Sequence, residues 1–222
     1  MCGIAGFIDF QNKSTQTQLQ DMTDTLHHRG PDDSGYKLFS TPFADIGLGH
    51  RRLSILDLSN HGHQPMQFEH LHIVYNGEVY NFTEIKEELR KKGYTFSSNS
   101  DTEVILKSFH LWGIEAVHKF NGMFAFTIYD KRAQKVYIVR DRSGIKPLYW
   151  YQKEDLILFA SELKSFYQHP RFHKEIKQNS VALFLQHQYI PEPYTIFKHT
   201  HKLKAGHFIA VSYTHLTLPT KA

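Results

Sequence analysis

The sequence contains a single cysteine among its 222 residues, and this scarcity limits its covalent structure. One cysteine excludes an internal disulfide, so we expect a reducing, cytoplasmic location. No cationic region followed by an apolar segment opens the chain, and no apolar run reaches the roughly 18 residues that cross a bilayer. We therefore expect neither a secretion signal nor a membrane partner.

The sequence also lacks a strong charge of one sign. Its 26 Lys and Arg residues are scattered among 22 Asp and Glu residues, which gives a net charge of +4 without a long basic block. Nucleic acid is therefore not an expected partner. The hydrophobic share of 41% and the aromatic share of 14% are those of a folded chain with a sizeable core.

The one cysteine, Cys2, directly follows Met1. Removal of Met1 would place a thiol and a free α-amine on one residue. Their reference pKa values are about 8.5 and about 8, so the amine can serve as the base for the adjacent nucleophile. This is the chemistry of an N-terminal nucleophile hydrolase. The alternative is that Cys2 is only a small residue entering a buried first strand.

Hydrophobic periodicity predicts a sheet-rich α+β domain. Strands are predicted at residues 3–10, 71–75 and 156–160, with a β-hairpin within residues 122–151. Helices are predicted at residues 16–28, 81–93 and 100–113, with a short helix beginning at residues 161–164. Asn81 with Glu84, and Ser100 with Glu103, have the spacing of capping boxes.

Asn76 and Gly77 follow the predicted strand at residues 71–75. An amide side chain and a backbone N–H directed at one point would form an oxyanion hole, and glycine would allow close approach to a substrate. The same dipeptide is also typical of a type I′ hairpin turn. A helix start at Asn81 argues against the turn, but the residues alone leave both interpretations open.

Histidine is abundant, with 16 copies, and we consider two of its His-x-His pairs. These pairs, His61 with His63 and His199 with His201, raise the hypothesis of a zinc site. We reject it and expect no metal, because no cysteines or carboxylates complete a ligand frame around them.

Several motifs occur together in one order along the chain. They are Cys2-Gly3-Ile4-Ala5-Gly6, His28-Arg29-Gly30-Pro31-Asp32, Arg52-Leu53-Ser54-Ile55, Tyr75-Asn76-Gly77-Glu78-Val79-Tyr80-Asn81, Ser100-Asp101-Thr102-Glu103, Gly122-Met123-Phe124-Ala125-Phe126, residues 140–149 and Ala160-Ser161-Glu162. From residue 1 to about residue 211 the chain resembles the amino-terminal glutaminase domain of glutamine-hydrolysing asparagine synthetases, a class II glutamine amidotransferase.

The resemblance implies the Ntn-hydrolase fold, with two stacked, mainly antiparallel β-sheets flanked by helices. It implies glutamine as substrate and no cofactor for the glutaminase reaction. The catalytic residues that it implies are Cys2, Asn76 and Gly77. The substrate-binding residues that it implies are Arg52, Leu53, Ser54, Ile55, Leu56, Asn76, Gly77, Glu78 and Asp101. Arg52, rather than Arg51, would hold the α-carboxylate, and Asp101 with Glu78 would hold the α-ammonium.

The resemblance also divides the chain. Residues 2–178 correspond to the glutaminase domain, and residues 179–211 to a connector toward a synthetase domain, which would bind ATP and Mg and is missing here. Residues 212–222 fit neither the family nor the fold and are expected to be a non-native, adapter-derived tail. Expected partners are glutamine, the synthetase domain and a second copy in a homodimer, since Leu183, Phe184 and Leu185 of the connector would be exposed.

Two other functions stay open at this stage. The parent protein could be a related amidotransferase with another acceptor; families making glucosamine phosphate or phosphoribosylamine fit less well, because they carry a Thr-Arg-Trp-Ala-Thr-like run where this chain has Arg51-Arg52-Leu53-Ser54-Ile55. Alternatively, the chain could be a non-catalytic glutamine-binding module in which Met1 is retained and Cys2 is inert.

Overall fold

The computed structural model describes residues 1–54, 62–212 and 216–221. Within these residues twelve strands form two six-stranded sheets, and each paired set of strands is antiparallel. The strands are β1 Gly3–Asp9, β2 Asp33–Ser40, β3 Asp45–Arg52, β4 Met66–Phe68, β5 Leu71–Val79, β6 Gly122–Asp130, β7 Lys135–Arg140, β8 Tyr149–Lys153, β9 Leu156–Ala160, β10 Thr200–Lys202, β11 His207–Ser212 and β12 Leu216–Lys221. The first sheet has the order β10-β8-β9-β1-β3-β2, and the second has the order β12-β11-β7-β6-β5-β4.

Four α-helices and two 3₁₀ helices lie among the described residues. The α-helices are α1 Gln16–Asp24, α2 Phe82–Lys91, α3 Asp101–Trp112 and α4 Gln178–His187, and the 3₁₀ helices are Gly113–Lys119 and Leu163–Gln168. No helix of this described part is long and apolar enough to cross a membrane.

The two sheets stack face to face. One buried cluster joins Ile4 of β1 and Leu48 of β3 with Val74 of β5 and Ala125 of β6. A second cluster packs α2 and α3 against the outer face of β5 and β6, and a third packs α1 against the outer face of β1 and β9. The α+β prediction, with two stacked antiparallel sheets flanked by helices, is confirmed.

Strand β5 is longer than predicted. It continues through Asn76 and Gly77 to Val79, and β6 pairs with it over its whole length, with Asn76 opposite Ala125 and Gly77 opposite Phe124. The prediction that the strand ends at residue 75 is therefore wrong, and so is the hairpin-turn interpretation of Asn76-Gly77. A long-range strand partner decided this segment, and local turn propensity did not.

Both predicted capping boxes are absent, for the same physical reason. The Asn81 side chain caps nothing on α2; it donates to Lys119 O and accepts from Asn121 N. Ser100 does accept from Thr102 N, but Glu103 turns to the 97–98 segment and to Lys107. Long-range partners replaced the local hydrogen bonds in both cases.

The carboxyl-terminal part bears on the proposed connector. Phe184 and Leu185 on α4 are exposed, as predicted, whereas Leu183 is half-buried. The segment that we excluded from the fold contains β12, which pairs with β11 at the edge of the second sheet. The adapter origin of that segment and the three-part division of the chain stay predictions.

Candidate active site

A cavity of about 210 Å³ opens where one end of the sandwich meets the start of α3. Side chains alternate along a strand, so residues two apart share a face. On β1, β3 and β5 the inward residues Ile4, Leu48 and Val74 belong to the buried core. The same alternation places Cys2, Arg52 and Asn76 on the inward faces, and all three line the cavity. Period-two patterning thus brings three distant sequence positions to one end of the sandwich.

Cys2 lies against the segment that leaves β3. Its Sγ accepts a hydrogen bond from Leu53 N at 3.4 Å and lies 3.7 Å from Leu53 O. Its carbonyl accepts a bond from Arg29 Nε at 2.9 Å, and Arg29 also pairs with Glu162. These contacts fix both the backbone and the sulfur of Cys2.

Burial raises the pKa of the Cys2 thiol above its ordinary value. The hydrogen bond from Leu53 N and the positive charges of the chain's amino terminus, Arg52 and Lys146 oppose this effect without overcoming it. Because the thiol is the less reactive form, the sulfur needs a nearby base before it can act as a nucleophile.

Asn76 presents an unused donor. Its side chain is 1% exposed, and its Nδ2 has no hydrogen-bond partner among the described residues. A buried N–H₂ without an acceptor costs on the order of 1–3 kcal/mol, which makes an empty acceptor position in the cavity the natural explanation.

The free edge of β5 supplies a second donor. Beyond the end of β4, the N–H groups of Tyr75 and Val79 point away from β6 and donate to the side chains of Gln64 and Asp101. Strand alternation directs the N–H of Gly77, which lies between them and lines the cavity, to that same side. Asn76 and Gly77 can therefore direct two donors toward one cavity.

The reason for glycine at position 77 differs from the one that we predicted. A Cβ there would lie 2.4 Å from Met123 O and 2.7 Å from Phe124 Cα, so close pairing with β6 requires the glycine. Approach of a substrate is not needed to explain it.

Asp101 is held at the start of α3. Its Oδ2 accepts from Tyr75 Oη at 2.6 Å and from Val79 N at 3.0 Å. Burial raises the pKa of this carboxyl group, and these two bonds offset only part of the increase. Burial and the adjacent Asp101 raise the pKa of Tyr75 well above its ordinary value, so Tyr75 acts as a fixed donor.

Arg52 is the inward arginine at the end of β3, with 8% of its surface exposed. The backbone of Gly62 packs directly against its guanidinium, since a Cβ on Gly62 would lie 2.1 Å from Arg52 Nη2. Arg51 points the other way and pairs with Asp24. The geometry gives Arg52, and not Arg51, to the cavity.

His50 connects the two sheets directly behind the cavity. Its Nε2 lies 3.0 Å from Tyr75 O, and because a carbonyl only accepts, that nitrogen carries the hydrogen. Burial lowers the pKa of His50 to about 3, so the ring is neutral. The bond fixes the peptide that leads into Asn76.

Most of the predicted site residues meet in this one cavity. Its lining includes Cys2, Arg52, Leu53, Asn76, Gly77, Glu78 and Asp101. Ser54 is not among the lining residues; its N–H donates to Asp32 of the 28–32 turn. Ile55 and Leu56 lie outside the described residues.

Sequence reasoning missed several lining residues, namely Gly62, Gln64, Tyr75, Ser100, Thr102, Met123 and Lys146. All of these except Gly62 and Gln64 lie within motifs of the resemblance, so the motifs were the available signal. Within the described ranges, no group of three or more His, Cys, Asp or Glu residues is placed to hold a metal ion.

The family of the chain follows from its similarity to known proteins. A model of the glutamine amidotransferase domain matches residues 1–221. The chain belongs to the glutamine amidotransferase family. It is a class II domain, and its similar relatives include glutamine-hydrolysing asparagine synthetases.

Two such relatives are each 40% identical to the chain. Putative asparagine synthetase 2 of Methanocaldococcus jannaschii matches over 92% of this chain and 43% of its own length. Asparagine synthetase 1 of Bacillus subtilis matches over 93% of this chain and 33% of its own length. The chain thus spans between a third and a half of the length of these relatives.

Solved structures support the fold. Glutamine phosphoribosylpyrophosphate amidotransferase of Bacillus subtilis aligns over 99% of this chain and 49% of its own, with a TM-score of 0.70. An allosteric regulatory enzyme of purine biosynthesis aligns over the same shares with a TM-score of 0.75. Both are 17% identical to the chain, so the likeness establishes the Ntn-hydrolase fold alone.

Proposed function

We propose that this domain hydrolyses the side-chain amide of glutamine through a thioester on Cys2. The observation that carries the proposal is the convergence on one cavity of a cysteine sulfur, a guanidinium, a carboxylate and the Asn76 Nδ2, which has no partner among the described residues. These are the groups that amide hydrolysis of an amino acid requires: a nucleophile, an oxyanion donor and two holders of the amino-acid head group.

The first step would be attack by the sulfur. After removal of Met1, the α-amine of Cys2 accepts the thiol proton, and the sulfur forms a bond to the carboxamide carbon of glutamine. The C–N bond then breaks, the amine returns the proton to the leaving nitrogen, and ammonia departs. Water hydrolyses the remaining thioester through a second tetrahedral intermediate.

Both intermediates place a negative charge on the former carbonyl oxygen. The proposed donors to that oxygen are Asn76 Nδ2 and Gly77 N. Each is held before substrate arrives, Asn76 by its place in β5 and by the His50 bond to the preceding peptide. Preorganised donors stabilise the transition state without first having to reorient.

Recognition of the substrate would use the opposite charges of the cavity. The planar fork of Arg52 suits the α-carboxylate of glutamine, and Asp101 with Glu78 suits the α-ammonium. Burial raises the pKa of Asp101. The positive charge of an incoming ammonium would lower this pKa and favour the ionised carboxylate.

For the whole protein we propose the role that the names of its relatives suggest. Ammonia from this domain would supply a synthetase domain that uses ATP and Mg to amidate aspartate, in the cytoplasm, where reducing conditions keep Cys2 a thiol. The glutaminase domain itself would need no cofactor. The two relatives described above, both named asparagine synthetases, support this acceptor.

The proposal is tested by intact mass and by ammonia release from glutamine. We expect loss of Met1, ammonia release by the unaltered protein and none from Cys2→Ala. We expect Asn76→Ala to lower kcat on the order of a hundredfold, as loss of an oxyanion donor does. Ammonia release by Cys2→Ala would refute the mechanism, and binding of glutamine without turnover by a protein that retains Met1 would favour the non-catalytic alternative.

A further inference from the structure

The loop that follows β7 belongs to a long sequence motif for which the proposed mechanism has no use. The motif runs from Arg140 to Tyr149, and the loop within it carries Lys146. Lys146 is 5% exposed and lines the same cavity as Cys2. Its ammonium group has no hydrogen bond or ion pair among the residues that the structure describes.

Asp141 holds this loop from within. Its side chain is fully buried and accepts from the N–H groups of Ser143, Ile145 and Lys146, each at 3.0 Å, and from Phe124 N of β6 at 3.3 Å. A buried carboxylate with four backbone donors fixes the loop conformation on the second sheet.

Arg140 holds the same loop from the other side. Its Nε donates to Lys146 O at 2.8 Å, and its Nη2 donates to Gly144 O at 2.6 Å. Asp141 thus fixes the N–H of Lys146 while Arg140 fixes its carbonyl. The backbone of Lys146 is held on both sides, although its ammonium makes no hydrogen bond or ion pair with the residues that the structure describes.

The proposed binding of the substrate also gives the positive charge of Lys146 no partner. Glutamine brings one carboxylate and one ammonium to the cavity, and the proposed function assigns them to Arg52 and to Asp101 with Glu78. Lys146 then remains as a desolvated cation in a cavity where a sulfur anion and an oxyanion form in turn. A positive charge facing the sulfur favours its anionic form, and Lys146 is one of three positive charges, with the amino terminus and Arg52, that lower the pKa of Cys2.

We infer that the 140–147 loop positions Lys146 as a fixed positive charge that stabilises the thiolate of Cys2. The effect of Lys146 on the thiolate does not depend on the proposed function; only its effect on ammonia release rests on that function. The charge acts on the sulfur and transfers no proton, which still passes to the α-amine. The other titratable groups that line the cavity with the sulfur are the amino terminus at Met1, Arg52, Tyr75, Glu78 and Asp101.

The experiment uses the fact that Cys2 is the only cysteine, so that alkylation by iodoacetamide reports on this thiol alone. The rate is measured against pH for the unaltered protein, for Lys146→Met and Lys146→Gln, which remove the charge, and for Lys146→Arg, which keeps it. Lys92→Met is the matched control, because Lys92 is exposed and lies outside the cavity lining.

We expect both neutral variants to shift the alkylation midpoint to higher pH and to lower the rate at neutral pH by up to about tenfold, the effect of one pKa unit. Lys146→Arg and Lys92→Met should keep the original profile. Ammonia release should fall in parallel in the neutral variants.

The two proposals fail separately. An unchanged alkylation profile in a folded neutral variant overturns the role of Lys146, whether or not ammonia is released. A shifted profile in a protein that releases no ammonia supports the role of Lys146 and counts against the glutaminase. Urea unfolding identifies a variant that fails to fold, and the second neutral variant then decides.

Discussion

At the scale of single residues, the chemistry of the cavity depends on polar side chains that their neighbours hold in fixed orientations. Asn76 Nδ2 has no acceptor among the described residues, whereas Tyr75 and Asp101 bond to each other and to β5. Asn76 Nδ2 is available to a ligand, whereas Tyr75 supports the site by holding the Asp101 carboxylate in place. This contrast distinguishes reacting groups from supporting groups.

Gly62 provides a test of substrate recognition at this scale. The Cβ of Gly62→Ala would overlap the guanidinium of Arg52, which is the flexible end of its side chain and can move aside. We expect KM for glutamine to rise about tenfold, the loss of roughly 1.4 kcal/mol, while kcat and the urea midpoint change little. Steady-state kinetics of ammonia release measure this.

Arg52→Lys supplies the control for that experiment. If Gly62→Ala acts by displacing the guanidinium, adding it to Arg52→Lys should raise KM by much less than it does alone. An unchanged KM in the single variant Gly62→Ala would contradict the assignment of Arg52 to the substrate.

At the scale of elements, the site depends on how β3 and β5 face each other across the sandwich. His50 on β3 donates to the carbonyl of Tyr75 on β5, one peptide before Asn76. The bond links the sheet that carries Arg52 to the sheet that carries the oxyanion donors. We expect loss of this hydrogen bond to lower kcat in a protein that still folds.

His50→Leu and His50→Gln test this link. The leucine leaves the buried Tyr75 carbonyl without a donor, which costs on the order of 1–3 kcal/mol of stability. We expect kcat to fall at least several-fold with little change in KM, because Asn76 shifts. In the His50→Gln variant, the new side chain offers an amide N–H donor to the Tyr75 carbonyl and should restore part of kcat. Equal kcat in a folded His50→Leu protein would count against the link.

The elements also show where sequence reasoning succeeded and where it did not. The hairpin of β6 and β7 was predicted because its alternating pattern is local and strong. The capping boxes at Asn81 and Ser100 were wrong, because Asn121 and Lys119 in one case, and the 97–98 segment in the other, offered better partners. Such partners lie close only after the chain has folded.

At the scale of the whole molecule, three histidines of the described residues are buried in the neutral state. Burial lowers the pKa of His50 to about 3, and that of His72 and His169 to about 4 each. These side chains belong to both sheets and to the segment after the second 3₁₀ helix. Their protonation therefore opposes the packing of the entire sandwich.

The sign of the pH effect follows from these depressed values. Between about pH 6.5 and about pH 4 the unfolded chain binds protons that the folded chain does not, so stability is lost as pH falls through that window. Where all three histidines are protonated in the unfolded chain and none in the folded chain, the free energy of unfolding changes by up to about 4 kcal/mol per pH unit. Urea midpoints at about pH 7 and about pH 5 measure it.

His72→Phe refines this test. His72 makes no side-chain hydrogen bond within the described residues and packs on Phe39, with ring centroids 4.6 Å apart. We expect the variant to remove roughly a third of the acid slope, because one of three buried histidines is lost. His187→Gln, at an exposed position, should leave the slope unchanged. An unchanged slope in His72→Phe would refute the argument for His72.

The sequence by itself determined the α+β class and the family, and it named Cys2, Arg52, Asn76 and Asp101 as candidate site residues. These follow from local periodicity and from motifs, which the order of residues records directly. Only the tertiary structure decided that β5 continues through Gly77, that Gly62 packs on Arg52, and that Lys146 enters the cavity. Each of these depends on contacts between residues far apart in the chain, and such contacts form only when the two sheets stack.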